Sequence, residues 1–159
     1  MFGLNIRRME RKIMIVGVKG KAGQTPYPWI KKIAQGALKK LRLNQAELSI
    51  QVVDNRKIKD LNKKYRGINR VTDVLAFPQR EGKFAGVYFE MLGDIVICLP
   101  QAKLQAGVLG HSFKKEVAVL LVHGLLHLLG FEDGSDKKRR QMFQRQEQLL
   151  EWLEENGFL

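Results

Sequence analysis

The 159-residue sequence predicts an α+β fold, in which a small mixed β-sheet is covered by helices. Strand-like and helical segments follow one another in the order β-α-β-α-β-β-α-α-α, and neither an internal repeat nor a linker-like stretch divides the chain. We therefore expect residues 1–159 to form a single domain. The most apolar segment is helical and carries two histidines four residues apart, so we expect a central buried helix.

Four segments have the composition and alternation of β-strands. They cover residues 11–19, 46–53, 71–77 and 92–99. In the second, apolar and polar residues alternate from Leu48 to Val52, as expected for a strand with one buried face. The third is expected to stop before Pro78, and the stretch after it, residues 79–89, has little regular pattern. Because a helix joins the first two strands, we expect them to be parallel with a right-handed crossover.

Five segments have helical periodicity or helix-terminal residues. Pro26 and Pro28 suit the first turn of a helix, and the apolar residues that follow recur at helical spacing. Asp54 or Asn55 can cap the second helix, and Gly67 can end it in the left-handed conformation. The other three helices are predicted to start at Pro100 and to cover residues 112–129 and 135–153.

The charge balance points to a polyanionic partner. The chain has 28 Lys+Arg against 16 Asp+Glu, a formal net charge of +12, which attracts nucleic acid; solubility alone is the alternative explanation. The single cysteine, Cys98, excludes a disulfide framework. No secretory signal is evident, and the apolar run at residues 117–131 is short for a bilayer span. We therefore expect a cytoplasmic protein that does not enter membranes.

The segment from residue 123 to residue 133 has the pattern of a metal site. His123 and His127 are four residues apart, so on a helix both imidazoles lie on one face, one turn apart. Gly130 can end that helix and reverse the chain, which would return Asp133 to the histidines. Two imidazoles and a carboxylate form a known catalytic zinc set. We therefore predict that these three side chains hold one divalent metal ion, with zinc the expected metal.

Other interpretations of this segment remain open at the level of sequence. Histidines on an apolar helix can be hydrogen-bonded core residues, although two buried imidazoles need polar partners, which a metal would supply. Glu132 or Asp136 could replace Asp133, although Asp136 also suits the amino terminus of the next helix. A zinc peptidase of the H-E-x-x-H type needs a glutamate after the first histidine, where this chain has Gly124.

From about residue 54 to residue 133, the sequence resembles the YbeY endoribonucleases, a family of ribosomal RNA maturation factors. The stretch HGLLHLLGF at residues 123–131 is similar to the family signature H-G-x-L-H-L-x-G followed by an aromatic residue. YRG at residues 65–67, TDVLAFP at 72–78 and LGDI at 92–95 look like three further family segments and keep the family's order. The family usually has a third histidine where this chain has Asp133, and a carboxylate is also a competent zinc ligand.

The resemblance implies a single-strand-selective, metal-dependent endoribonuclease. It would act in ribosomal RNA maturation, notably at the 3′ end of small-subunit RNA, and in ribosome quality control. Its implied partners are single-stranded RNA and the ribosome, with no role for DNA or a membrane. The resemblance also implies that Arg66 is functional and clamps a phosphate with its planar fork of donors. The alternative role of Arg66 is to stabilise the carboxyl terminus of its helix by its charge.

Weaker candidates surround this site. Asp94 is expected to form a structural hydrogen bond, and Thr72 with Asp73 is expected to start a strand after a turn. His111 is excluded because twelve residues of helix would rotate it away from His123. Two basic clusters are expected to hold RNA, although charge runs are usually only solvated faces; the second is favoured because it follows the metal segment directly. They are Lys57, Lys59, Lys63, Lys64 and Arg66 on one helix, and Lys137, Lys138, Arg139 and Arg140 on another.

The general base and the competing function remain open at the level of sequence. The general base is unassigned: it is either Glu132, or a metal-bound hydroxide that deprotonates an attacking ribose 2′-hydroxyl. No aromatic stacking platform is evident, so sequence-specific base reading is not expected. Besides the metallopeptidase, the competing function is that of a ribosome-associated RNA-binding factor whose metal is structural.

Overall fold

The computed structural model describes residues 13–17, 27–79 and 91–159. Within these ranges the chain forms five helices and four strands in the predicted order, and the predicted α+β class is confirmed. The strands are β1 (Ile13–Gly17), β2 (Glu47–Val53), β3 (Val74–Pro78) and β4 (Met91–Cys98). The helices are α1 (Pro28–Lys40), α2 (Asn55–Arg66), α3 (Leu99–Leu109), α4 (Phe113–Leu128) and α5 (Asp136–Glu155).

The four described strands form one mixed sheet in the order β1-β2-β4-β3. Strands β1 and β2 are parallel, as predicted, and β2 is also parallel to β4. Strand β3 runs antiparallel to β4 at the edge of this sheet, with Ala76 opposite Ile95 and Phe77 opposite Asp94. This edge strand forms one wall of the candidate site.

The start of β3 corrects the prediction of a strand from residue 71. The strand begins at Val74, because the Asp73 carboxylate accepts the backbone N–H of Val74 at 2.8 Å, and the Asp73 carbonyl accepts that of Cys98, also at 2.8 Å. Pro78, expected to follow the strand, is its last residue and lies opposite Gly93. A proline is tolerated there because the strand lies at the edge of the sheet.

The helix termini follow the capping residues in the sequence. Asp54, Ser112 and Ser135 each accept a backbone N–H from the first turn of α2, α4 or α5. Gly67 ends α2 with a φ of 71°. Helix α1 begins at Pro28, whereas Pro26 lies outside the described residues, as do residues 11–12 and 18–19 of the predicted first strand and residues 80–89.

Helix α4 is the central buried helix that the sequence predicts, and it packs against β3, β4 and the helices α1, α3 and α5. Gly124 faces the sheet at the closest approach, where an added Cβ would lie 3.0 Å from Cγ2 of Ile95. Because Gly124 has no side chain, α4 can pack directly against β4. This contact sets the distance between the sheet and the helical turns that carry His123 and His127. None of the helices in the described ranges is both long and apolar enough to cross a bilayer.

Candidate metal centre and active-site cleft

A cleft of about 420 Å³ opens between α4 and the edge strand β3. Because side chains alternate along a strand, Val74, Ala76 and Pro78 line this cleft, whereas Leu75 packs on the opposite face of the sheet. The polar side chains that line the cleft are His123, His127, Asp133, Arg66, Thr72, Asp73 and Glu132. The cleft thus collects residues from the end of α2, the start of β3, α4 and the turn that follows α4.

The three side chains predicted to bind a metal lie together in this cleft. The Nε2 atoms of His123 and His127 are 3.1 Å apart, and the Nε2 of His127 is 3.8 Å from Oδ2 of Asp133. Each residue offers one ligand atom, and the three atoms all lie within 4.8 Å of one another. In tetrahedral zinc sites with Zn–N bonds of 2.0–2.1 Å, ligand nitrogens lie about 3.3 Å apart. The spacing of the two imidazoles therefore suits one shared ion.

The chain reversal that brings Asp133 back depends on the end of α4. Gly130 has a φ of 94°, a conformation that other residues rarely adopt. The backbone N–H of Gly130 donates to the carbonyl of His127 at 3.0 Å, and that of Phe131 donates to the carbonyl of Leu126 at 3.0 Å. These bonds close the last turn of α4 and send the chain back past the His127 ring.

The hydrogen bonds of the Nδ1 atoms, which point away from the cleft centre, test whether His123, His127 and Asp133 suit a cation. Nδ1 of His127 lies 3.0 Å from the carbonyl oxygen of Phe131, and Nδ1 of His123 lies 3.1 Å from Oε1 of Gln146. Both partners are acceptors, so each Nδ1 carries the proton and each Nε2 presents a lone pair. Two lone pairs 3.1 Å apart repel each other unless a positive charge lies between them. The donor set therefore fits a divalent cation and can hold one.

The electrostatic environment keeps His127 in the form that binds metals. Burial lowers the pKa of His127 below its ordinary value, and the neighbouring His123 lowers it further, while Asp133 acts in the opposite direction. The charge of Arg66 makes a smaller contribution that also lowers this pKa. A lowered histidine pKa favours the neutral imidazole, which is the form that coordinates metal ions.

The two acids that compete with Asp133 in the sequence have other partners. Asp136 is the first residue of α5, and its carboxylate accepts a bond from Arg139 at 3.2 Å. Glu132 is fully exposed and pairs with Lys138, and the hydrogen bond with Lys138 lowers the pKa of this carboxyl group. A lowered pKa makes Glu132 a weaker proton acceptor. Among the described residues, Asp133 is the acid that joins the histidines.

The other predicted candidates have separate positions. Thr72 lines the cleft and donates to the Asp73 carboxylate at 3.4 Å, and the other oxygen of Asp73 accepts from Gln105 at 3.0 Å. Asp94 accepts from Gln79 at 3.4 Å, a structural role like the one expected for it. His111 lies 3.0 Å from Glu116 and, as the spacing predicts, is not part of the cleft lining.

Both basic clusters are close in sequence to residues that line the cleft. The cluster on α2 is exposed and ends at Arg66, which lines the cleft. The cluster at the start of α5 is also exposed, but Lys138 and Arg139 are paired with Glu132 and Asp136. Part of its positive charge is therefore neutralised by neighbouring acids.

Gln146 is the residue of this site that sequence reasoning missed. It lies on the buried face of α5 with Met142, Leu149, Leu150 and Leu153, and it is 8% exposed. A polar side chain within an apolar helical stripe needs a buried partner. The interruption of this stripe by a glutamine was the signal available in the sequence, and His123 is the partner that the fold supplies.

Known proteins are similar to this chain over most of its length. Residues 21–154 match the family described as endoribonuclease YbeY. The endoribonuclease YbeY of Sulfurihydrogenibium sp. is 41% identical over 126 residues, covering 79% of this chain and 82% of that protein. That of Aquifex aeolicus is 40% identical over 136 residues, covering 84% and 87%. The solution structure of TM1509 from Thermotoga maritima has a TM-score of 0.62 at 29% identity and covers 89% of this chain and 88% of that one. The chain belongs to the YbeY endoribonuclease family, whose members are hydrolases that act on RNA.

Proposed function

We propose that this protein is a single-strand-selective, zinc-dependent endoribonuclease that matures ribosomal RNA, notably at the 3′ end of small-subunit RNA, and that takes part in ribosome quality control in the cytoplasm. The observation that carries the proposal is the convergence of His123, His127 and Asp133 in a cleft that Arg66 also lines. The ribosomal substrate is inferred from membership of the family, and the net charge of +12 suits such a polyanion.

Four residues of the cleft have a role in this proposal. His123, His127 and Asp133 hold the ion. When bound, the ion supplies Lewis acidity, which acidifies a water molecule and polarises a phosphoryl oxygen. Arg66 binds the scissile phosphate and stabilises the negative charge that develops on it, because its guanidinium presents paired donors to two phosphate oxygens. The exposed lysines of α2 extend the positive surface along the flanking backbone of the RNA.

The attacking group is either water or the ribose 2′-hydroxyl next to the scissile phosphate. Attack by the 2′-hydroxyl leaves a 2′,3′-cyclic phosphate, whereas attack by water leaves a linear phosphate and a free hydroxyl. Mass spectrometry of the cleavage products therefore distinguishes the two. The pairing of Glu132 with Lys138 argues against Glu132 as the base.

The packing of α4 disfavours the metallopeptidase alternative. A peptidase of the H-E-x-x-H type needs a glutamate at residue 124, but a Cβ there would lie 3.0 Å from Ile95. The position therefore lacks the proton acceptor, and a side chain there would need the Ile95 side chain to shift.

The exposure of the site disfavours a purely structural metal. Asp133 retains 53% of its side-chain exposure, and the cleft is open at the ligand atoms. Structural zinc sites are closed by four protein ligands, whereas among the described residues three suitable side chains meet here. A coordination position open to water suits a catalytic site.

The test is a cleavage assay with zinc-loaded protein on single-stranded RNA, double-stranded RNA and a peptide, with and without a chelator. We expect chelator-sensitive cleavage of the single strand alone, and a precursor of small-subunit RNA should be shortened at its 3′ end. The His123→Ala variant should lose zinc content and cleavage together. Cleavage by that variant in a metal-free state would refute the assignment, and chelator-sensitive peptide turnover would promote the peptidase.

A further inference from the structure

Gln146 is a buried polar side chain whose position packing does not explain. In the described part of the chain it is one of three buried side chains that are polar or charged, together with Asn62 and Glu116. Its neighbours on the inner face of α5 are Met142 and Leu149, so an apolar side chain would suit the position better. Its hydrogen bond to His123, at 3.1 Å, compensates for the burial of the amide oxygen.

The two histidines of the cluster are held in different ways. Nδ1 of His127 has a backbone partner, the carbonyl of Phe131, which belongs to the turn that closes α4. Nδ1 of His123 has a side-chain partner that comes from a different helix, α5. The backbone therefore fixes the ring of His127, whereas the orientation of the His123 ring depends on the side chain of one residue, Gln146.

We propose that Gln146 is a positioning residue for the metal centre, an inference that rests on the zinc-dependent function proposed above. Its amide oxygen accepts the Nδ1 proton of His123, which holds the ring in one tautomer and directs the lone pair of Nε2 toward the ion. Without this acceptor, His123 can carry its proton on Nε2, and that tautomer cannot coordinate through the same atom. The ring can also rotate, which would lose the 3.1 Å approach to His127.

This arrangement makes the docking of α5 part of the metal site. Helix α5 begins three residues after Asp133, so it follows one ligand in the chain and orients another through Gln146. Outer hydrogen bonds of this kind contribute about 10- to 100-fold to metal affinity in zinc proteins. A substitution at the Gln146 position should therefore change zinc affinity without removing any ligand.

The first test compares zinc affinity among three variants by competition with a chromophoric chelator. Gln146→Leu removes the acceptor, Gln146→Glu retains it, and Gln144→Leu makes the same change at an exposed position of α5. We expect the zinc dissociation constant to rise about 10- to 100-fold in the first variant and to stay within a few-fold of wild type in the other two. An unchanged affinity in Gln146→Leu would overturn the proposal.

The second test needs no metal and no stable variant. The ¹⁵N chemical shifts of the His123 ring in the metal-free wild-type protein report which nitrogen carries the proton. We expect the Nδ1–H tautomer in the wild type, whereas an Nε2–H tautomer would overturn the proposal. If the wild type binds no zinc at all, the proposed function fails as well; if it binds zinc and Gln146→Leu binds it equally, this inference alone fails.

Discussion

At the scale of single residues, the site depends on which atom of each side chain faces the cleft. The outer nitrogens of His123 and His127 both meet oxygen acceptors, which leaves their Nε2 atoms 3.1 Å apart with lone pairs facing one another. Asp133 adds a negative charge at 3.8 Å from the second ring. This concentration of electron pairs and negative charge favours the binding of a cation. The affinity for a metal ion therefore depends on the hydrogen bonds that orient the histidine rings, and four protein ligands are not required.

Arg66 provides the prediction that belongs at this scale. Its substitution by alanine should slow RNA cleavage about 10²- to 10³-fold, the usual effect of losing one donor to a developing negative charge. Zinc content should be unchanged, because Arg66 is not one of the ligand residues. Arg66→Lys should recover little of the rate, since a lysine cannot present two parallel donors.

Single-turnover cleavage and zinc analysis on the same samples measure both effects. Lys63→Ala is the matched control, because Lys63 is an exposed cation on the last turn of the same helix. If both variants slow cleavage equally, Arg66 contributes only general positive charge.

At the scale of secondary-structure elements, the termini of helices position the site. Helix α4 ends at Leu128, and the short turn that follows, which contains Gly130 with its positive φ, carries Asp133 to the start of α5. Gly124 meanwhile allows α4 to lie against β4. The histidines are thus set by helix periodicity, whereas the carboxylate is set by the turn geometry.

The role of that turn can be tested with two glycines. Gly130→Ala should reduce the free energy of unfolding by about 1–2 kcal/mol, because alanine in the left-handed region is strained. It should also weaken zinc binding, since relief of the strain moves Asp133. Gly134→Ala is the control, because Gly134 lies outside the positive-φ region and its added Cβ would meet no atom within 4 Å.

Denaturant unfolding and zinc titration of the two variants measure these effects. Equal stability and equal zinc affinity for Gly130→Ala and Gly134→Ala would mean that the turn does not position the carboxylate.

Elements whose position depends on residues close together in the chain were predictable from the sequence. Periodicity and capping residues such as Asp54 and Gly67 placed the helices, and the histidine spacing placed two donors on one face. The start of β3 was not predictable, because it depends on pairing with β4, in which Val74 lies opposite Ile97, far along the chain. The contact of Gln146 with His123 was missed for the same reason, since it joins residues 23 positions apart.

At the scale of the whole molecule, the positive charge and the position of buried charges govern behaviour. The chain has a formal net charge of +12, whereas the cleft contains three acids, Asp73, Glu132 and Asp133. This local negative charge suits a cation in the cleft, while the basic exterior attracts the RNA backbone. In the proposed function, the metal and the scissile phosphate therefore share the cleft with Arg66, whereas exposed cations outside the cleft attract the flanking RNA.

The free energy of unfolding should depend on pH in part through one buried acid, Glu116. Desolvation raises its pKa above the ordinary value, with His111 opposing and Asp73 adding to the shift. Above about pH 4.3, the ordinary glutamate pKa, the folded state therefore binds more protons at this group than the unfolded state does. The contribution of Glu116 to stability thus falls as pH rises from there to the raised pKa, and is constant beyond it.

The Glu116→Gln variant should remove this dependence. The free energy of unfolding of the variant relative to wild type should increase with pH across that window. Chemical denaturation between pH 4 and pH 8 measures it, with the exposed Glu147→Gln as control. A difference that is independent of pH would show that burial does not perturb Glu116.

The central claim is that His123, His127 and Asp133 bind one divalent ion. Anomalous diffraction at the zinc absorption edge, on crystals grown with zinc, tests it most directly. We expect one strong peak within about 2.0–2.2 Å of the Nε2 atoms of both histidines and a carboxylate oxygen of Asp133. A zinc-replete crystal with no peak between the two imidazoles, or with their Nε2 atoms turned away from each other, would contradict it.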